Sequence, residues 1–216
     1  MRRALAIIGF AALCATTLFA QQHDTDKMQS AGSLPAGWSV RLDSGSTKPD
    51  GVSVMPMGGG VHFKSGPAGI YYRSTDTKSG SYEVHASFNQ VEPSEHPEAY
   101  GLFVGGSNLA GAPQKYTYFL VRQDGTYLVK QRDGEKTTDI TKGWVASPAV
   151  HKTDAKGTAS NLLEIDNKSD TSKVVFKANG TAVYTLDAKA TDVNGVVGLR
   201  VNHNLDLHID GFDVHR

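Results

Sequence analysis

From Leu34 onward the chain is written in short runs that alternate apolar and polar residues, separated by Gly, Asn, Asp and Pro. Ser81 to Phe88 is the clearest. Tyr82, Val84, Ala86 and Phe88 fall on one side of it, and Ser81, Glu83, His85 and Ser87 on the other. A period of two residues is that of a β-strand with one buried face. Comparable runs occur at 38–42, 60–64, 69–73, 99–105, 116–122, 126–132, 162–166, 173–178, 181–187, 195–201 and 205–214. Asp124-Gly125 and Asn179-Gly180 each lie between two such runs, the strongest short-range hairpin signal. No convincing helix and no internal repeat appears. About a dozen short strands with glycine-rich turns predict an all-β chain, a two-sheet antiparallel β-sandwich over 34–216.

The same alternation nominates the core: Tyr82, Val84, Phe88, Leu102, Val104, Phe119, Val121, Leu163, Ile165, Phe176, Val197, Leu199, Leu207, Ile209 and Phe212. Phe212 and Val214 fall in step with Leu207 and Ile209 only if Asp210-Gly211 bulges. Tyr116 to Val121 is apolar on both sides, Tyr116, Tyr118 and Leu120 against Phe119 and Val121, so this strand is expected to be covered twice.

The N-terminus reads differently. Arg2 and Arg3 precede an apolar stretch, Ala4 to Leu13, and small residues lead to Ala20 before the chain turns polar at Gln21. This is the pattern of a cleavable secretory signal over 1–20, followed by a polar, disordered leader over 21–33. An exported protein, periplasmic or extracellular and not inserted in a membrane after cleavage, is the expectation. The single cysteine, Cys14, lies inside the signal, so neither disulfides nor a thiolate metal site hold the mature chain. Without Arg2 and Arg3 the 22 basic residues become 20 against 22 acidic ones. That balance offers nothing to nucleic acid, which asks for a basic face.

The C-terminal half resembles a known superfamily. Gly143-Trp144, Ser147-Pro148-Ala149, Asn161-Leu162-Leu163, Phe176, Asn179-Gly180-Thr181, Gly195 to Leu199 and Ile209 to Val214 follow one another as in the tail of bacterial concanavalin A-like jelly rolls. Laminin-G-like modules and 3-keto-disaccharide hydrolase-like domains are the nearest members. Tyr100 to Val104 and Tyr118 to Val121 also fit, so the likeness covers about residues 99–216. It implies a jelly roll; the fold hosts lectins, hydrolases and inert spacers alike.

Chemistry is sparser. Glu164-Ile165-Asp166 resembles the catalytic strand of family-sixteen glucanases, but Lys168 stands where their proton donor belongs. The expected arrangement is Leu163 and Ile165 inward with both acids in water. His203, Asp206, His208 and Asp210 alternate as metal ligands would, and equally as the polar face of a last strand; no metal site and no cofactor is assigned. The third set is Glu83, His85, Tyr118, Arg122, Tyr127 and Gln131, with Trp144 as a packing residue. Sugar sites combine aromatic plates with hydrogen-bonding groups. If Glu83 and His85 share one concave sheet with Tyr118 and Arg122, the set forms a groove for an oligo- or polysaccharide. Three functions stay open: a non-catalytic glycan-recognising domain, a 3-keto-disaccharide hydrolase-like enzyme, and a structural or adhesive module.

Overall fold

The computed structural model describes residues 26–27 and 31–216; the expected signal lies outside them. Fifteen strands follow in order: β1 Ser39–Leu42, β2 Val52–Met57, β3 Gly60–Ser65, β4 Gly69–Lys78, β5 Glu83–Gln90, β6 Ala99–Ser107, β7 Lys115–Arg122, β8 Thr126–Asp133, β9 Lys136–Asp139, β10 Val145–Ala146, β11 Ala159–Asp166, β12 Lys173–Ala178, β13 Thr181–Asp187, β14 Gly195–Val201 and β15 Asp206–His215. Among the described residues the one helical element is a single 3-10 turn at Ala188–Ala190. Sheet I runs β1-β4-β14-β6-β7-β8-β10, with β9 also on β8, and sheet II runs β13-β12-β11-β5-β15-β3-β2. Every strand pair within the two sheets is antiparallel.

The space between the sheets is filled by the side chains that the alternation nominates. All of them are buried except Phe212, which is half-buried at the rim of that core. Its position follows from the bulge expected at Asp210-Gly211: the register of β15 on β5 shifts between Asp210 and Asp213, and Gly211 takes φ +60°. Phe212 and Val214 both pack on the core. Rings meet across the interior at Phe88–Tyr100 and Phe119–Phe176, with centroids 5.2 and 5.7 Å apart.

Local chemistry explains the turns. Asn179 and Gly180 both hold positive φ, +50° and +77°, as a two-residue primed turn requires. At Asp124-Gly125 only Gly125 is left-handed; the hairpin closes through three residues, Gln123 to Gly125, with Gly125 N–H on the Arg122 carbonyl at 3.0 Å. Asp124 caps that turn through Thr126.

A buried amide network ties loop to sheet. Asn161, fully buried, accepts from His151 N–H at 2.8 Å and from the Asn179 side chain at 2.9 Å. It donates to the Tyr100 hydroxyl and the His151 carbonyl at 3.1 and 3.2 Å. Asn179 in turn accepts from Leu162 N–H and donates to the Ala149 carbonyl. Ala149, Asn161, Leu162 and Asn179, four of the residues on which the likeness rests, are therefore part of a structural clamp. Every donor and acceptor of Asn161 is used, the condition under which burying an amide is tolerated.

One expectation needs correction, and the described residues of the leader make contacts of their own. Asp26 pairs with His203 at 2.9 Å, Lys27 N–H donates to Asn204, and Ser33 forms a β-bridge with Ser53. The acids of β11 are not in water: Asp166 is 1 % exposed and Glu164 half-buried, because Lys177 on β12 reaches both, at 2.9 and 3.2 Å. Asp166 also caps the following turn through Lys168 N–H, Ser169 N–H and Ser169 Oγ. These contacts hold its carboxyl far below the usual carboxylate range, against the upward pull of burial.

Candidate functional site

Pairing register decides which outward residues meet. Across sheet I, Arg41, Ile70, Arg200, Gly101, Leu120 and Leu128 form one row of cross-strand neighbours. Ser39, Tyr72, Gly198, Phe103, Tyr118 and Lys130 form the next. In-register neighbours share a face, and Thr117, Phe119 and Val121 take the opposite one, so both rows lie on the outer face of sheet I. β7 is indeed covered twice, as its two apolar sides require.

The outer face carries a chain of rings: Tyr72 against Phe103, Phe103 against Tyr116, and Tyr116 against Tyr118, at 6.4, 5.3 and 5.3 Å. Gly198 makes the room, since a β-carbon there would lie 2.5 Å from the Phe103 ring. Leu109, on the 108–114 loop between β6 and β7, packs on this cluster. Arg41 fastens the loop by donating to the Ala110 carbonyl at 3.2 Å and to the Gly45 carbonyl.

Charge sits among the rings. Arg200, 7 % exposed, forks onto Asp43 at 2.5 and 2.6 Å, and its Nε donates to Asn202 Oδ1 at 3.2 Å. Its guanidinium lies 6.0 Å from the Tyr118 ring centroid. Burial works against the charge on Arg200, but Asp43 overrides it and holds the guanidinium firmly protonated. Burial likewise pushes the Asp43 carboxyl up, yet Arg200, with Arg132 and His203 adding, leaves it below the ordinary value. The Tyr118 hydroxyl is pushed up to about 12, chiefly by burial. Next to this cluster Arg122 stacks on Trp144 with 4.0 Å between guanidinium and ring centroid, while donating to Asp124 at 2.7 Å and Thr126 at 3.1 Å. Both members are half-buried, so the edge of this plate meets solvent.

The residues expected to form one groove are split. Tyr118 and Arg122 lie on the outer face of sheet I. Glu83 and His85 alternate with Val84 and Ala86 on β5, a strand of sheet II, and project from the outer face of that sheet. The two pairs are separated by the thickness of the sandwich. His85 meets Glu83 at 3.4 Å and stacks on His215 at 5.1 Å. Tyr127 points inward to the core, its hydroxyl donating to the Val183 carbonyl at 2.7 Å. Gln131 follows the same inward phase of β8 and is exposed where that strand pairs with Thr138 of β9. Trp144 packs as expected, on the outer cluster of sheet I.

Asp206, His208 and Asp210 do not gather around a common point. Asp206 pairs with His62 and Lys64, at 3.1 and 2.8 Å, and His208 with Asp210 at 3.0 Å. Among the described residues no group of three or more His, Cys, Asp or Glu is arranged to hold a metal ion. Nor is any described helix long and apolar enough to cross a membrane.

Three residues of the outer cluster, Arg41, Asp43 and Arg200, carried no recognisable signal as a set. The Arg200–Asp43 pair joins positions 157 apart in sequence. Its one local trace is a lone arginine in the otherwise apolar run Gly195 to Val201.

With the geometry in hand, solved structures supply the comparison. A family-66 carbohydrate-binding module of Bacillus subtilis superposes with a TM-score of 0.59 at 11% identity, over 87% of this chain and 99% of that one. A galectin-like protein of unknown function from the same organism gives 0.57 at 12%, over 82% and 88%. The fold is a concanavalin A-like jelly roll. An alginate lyase of polysaccharide lyase family 7 shares it, with 0.54 at 12% over 82% and 93%. No protein-family model matches the chain, and no curated protein matches it.

Proposed function

We propose that this chain is an exported, non-catalytic carbohydrate-recognition domain, periplasmic or extracellular, that holds a saccharide on the outer face of sheet I. One observation carries the reading. That face presents the half-buried Trp144–Arg122 plate, supported from beneath by the buried rings, beside a set of guanidiniums, the pairing of an apolar plate with polar groups that sugars require. The neighbours' names point the same way: one is a carbohydrate-binding module and another an alginate lyase. Within the jelly rolls we place the chain nearest the laminin-G-like and 3-keto-disaccharide hydrolase-like domains, on the Asn161–Asn179 clamp and the loop residues Ser147 to Ala149.

Recognition is favoured over hydrolysis by the state of the carboxylates. On this face Asp43 is forked by Arg200 and Asp124 is held by Arg122, and both carboxyls are held below the ordinary value. A general acid needs a carboxyl that keeps its proton near neutral pH, and cation-paired acids do the reverse. The test is a glycan array with the mature chain and its Trp144→Ala variant. Binding lost in the variant while its melting temperature falls by no more than about 2–4 °C supports the reading. Binding to no saccharide by the native chain removes it and leaves the structural-module alternative. N-terminal sequencing of the exported protein checks the cleavage, with Gln21 as the expected first residue.

A further inference from the structure

The charges on the two outer faces are balanced differently, and the imbalance has a chemical meaning. On sheet I Arg200, Arg122 and Lys130 each have a carboxylate. Arg41 and Arg132 have none within ion-pair distance among the described residues. Arg41 bonds only to the main-chain carbonyls of Gly45 and Ala110. Arg132 bonds only to the Gly134 carbonyl, at 3.3 Å. Both side chains are half-buried, and in each the Nε is shut off from water with no acceptor. A guanidinium carries five donors in a fixed fork that matches a planar oxyanion. Burying part of that fork without an acceptor is unfavourable; the Nε groups are closed to a ligand as they are to water, so an anion would meet the Nη groups of these two guanidiniums, which no carboxylate holds.

Their surroundings say what kind of anion. Arg132 is the cross-strand partner of Tyr116, whose ring leads through Tyr118 to Arg200. Arg41 sits in the row of Arg200. The cations without carboxylates thus share the outer face with an already neutralised ion pair and with the half-buried Trp144–Arg122 plate, the one aromatic surface of that cluster that meets solvent, and a free small anion would leave that plate unused. We propose that the sheet I face selects saccharides bearing anionic groups, carboxylate or sulfate, with Arg132 and Arg41 as the receptors for those groups. The proposal rests on the carbohydrate reading above and specifies its ligand. Bulk attraction does not account for it, because the chain as a whole has a formal net charge of zero.

The experiment is calorimetric titration of the mature chain with size-matched oligosaccharides: alginate and polygalacturonate fragments for carboxylate, dextran sulfate for sulfate, dextran as the neutral arm. We expect at least one anionic arm to bind about tenfold or more tighter than dextran, since charge-assisted bonds are the stronger kind. That advantage should shrink as salt rises from about 0.05 to about 0.5 M, and the arm that binds names the source of the anion. Arg132→Gln should remove about tenfold of anionic affinity at an unchanged melting temperature. Arg41→Lys, which keeps the charge and loses the fork, gives a second reading if Arg41→Gln loosens the 108–114 loop. Dextran binding as tightly as every anionic arm, or anionic binding indifferent to Arg132→Gln, overturns the proposal and leaves carbohydrate recognition standing. No binding in any arm overturns both.

Discussion

The outer faces of the two sheets obey one alternation rule and yet hold opposite contents. On sheet II nearly every charge has a partner close by on the same or the adjoining strand: His62 and Lys64 with Asp206, His85 with Glu83, Lys177 with Glu164 and Asp166, His208 with Asp210. The in-register outward positions of β11, β5, β15 and β3 bear no Tyr, Phe or Trp. On sheet I the central ion pair spans the chain, rings crowd around it, and two arginines lack carboxylates. A face whose charges close on their neighbours is a solvated exterior. One whose charges and rings depend on distant partners, with donors left over, is arranged for something else. Alternation assigns a residue to the inside or outside of its own sheet, and only the partner inventory tells an idle exterior from a working one.

The sharpest way to break this comparison is to sever the ion pair of sheet I. Asp43→Ala leaves the Arg200 guanidinium buried and uncompensated, which costs about 3 kcal/mol, toward the lower end for such pairs because Asp43 itself is part-exposed. Chemical denaturation should show that loss without a change in m-value. Replacing both partners, Asp43→Ala with Arg200→Met, should recover most of it, since no charge then lacks a counter-ion. A double variant as unstable as the single one would mean that the pair's shape, rather than its charge, is what the face needs.

How much of this was legible from sequence divides along the same line. The core was readable residue by residue, from Tyr82 to Ile209, because burial follows a period that a linear text displays. Strand β2 was hidden by Pro56, which forfeits a ladder donor and argues against a strand; it is tolerated because β2 is the edge of sheet II. The groove was placed wrongly for a different reason. Tyr82, Val84 and Phe88 fix Glu83 and His85 outward, and Phe119 and Val121 fix Tyr118 and Arg122 outward, but nothing in either run says to which sheet its strand belongs. Strand order is a property of long-range pairing, so Arg200 and Asp43, 157 residues apart, left no joint trace.

Acid sharpens the comparison next. Asp43 on one face and Asp166 on the other both have folded-state values lowered from the ordinary carboxylate range. A lowered carboxylate contributes stability that is fully present above its unfolded value, about 3.9, and is lost as pH falls through the folded one. The melting temperature should therefore hold down to about pH 5 and fall progressively below pH 4. In Asp166→Asn that acid limb should be shallower, with a lower plateau, because the amide keeps one acceptor oxygen for the turn but offers Lys177 and Ser169 Oγ neither the second oxygen nor the charge, at every pH. An acid limb identical to the native one would show that Asp166 contributes no pH-linked stability.

A smaller effect is expected at the Trp144 plate. Trp144→Ala removes a ring that is half in solvent and frees Arg122, which keeps Asp124 and Thr126. Stability should drop by about 1 kcal/mol, whereas saccharide affinity should fall about tenfold or more. Equal losses in both would make the plate a packing element alone.

The smallest effect tests the idle face. Glu83 touches His85 at 3.4 Å, with side chains 28 and 26 % exposed, a solvent-screened pair of the kind worth between nothing and about 1 kcal/mol. Its cross-strand neighbours are Asp166 and His215, and Asp166 is already held by Lys177 and by the 167–169 turn, so neither depends on Glu83. Glu83→Ala should thus leave the melting temperature within about a degree or two. It should also leave every saccharide affinity unchanged, since two layers of sheet, about 10 Å between their planes, separate it from Tyr118, Arg122 and Arg132. The same array run with Glu83→Ala and Arg132→Gln side by side reads both faces at once. Affinity lost in the first and kept in the second would move the site to sheet II, where His85, His215 and the paired acids would have to supply the contacts without an aromatic plate.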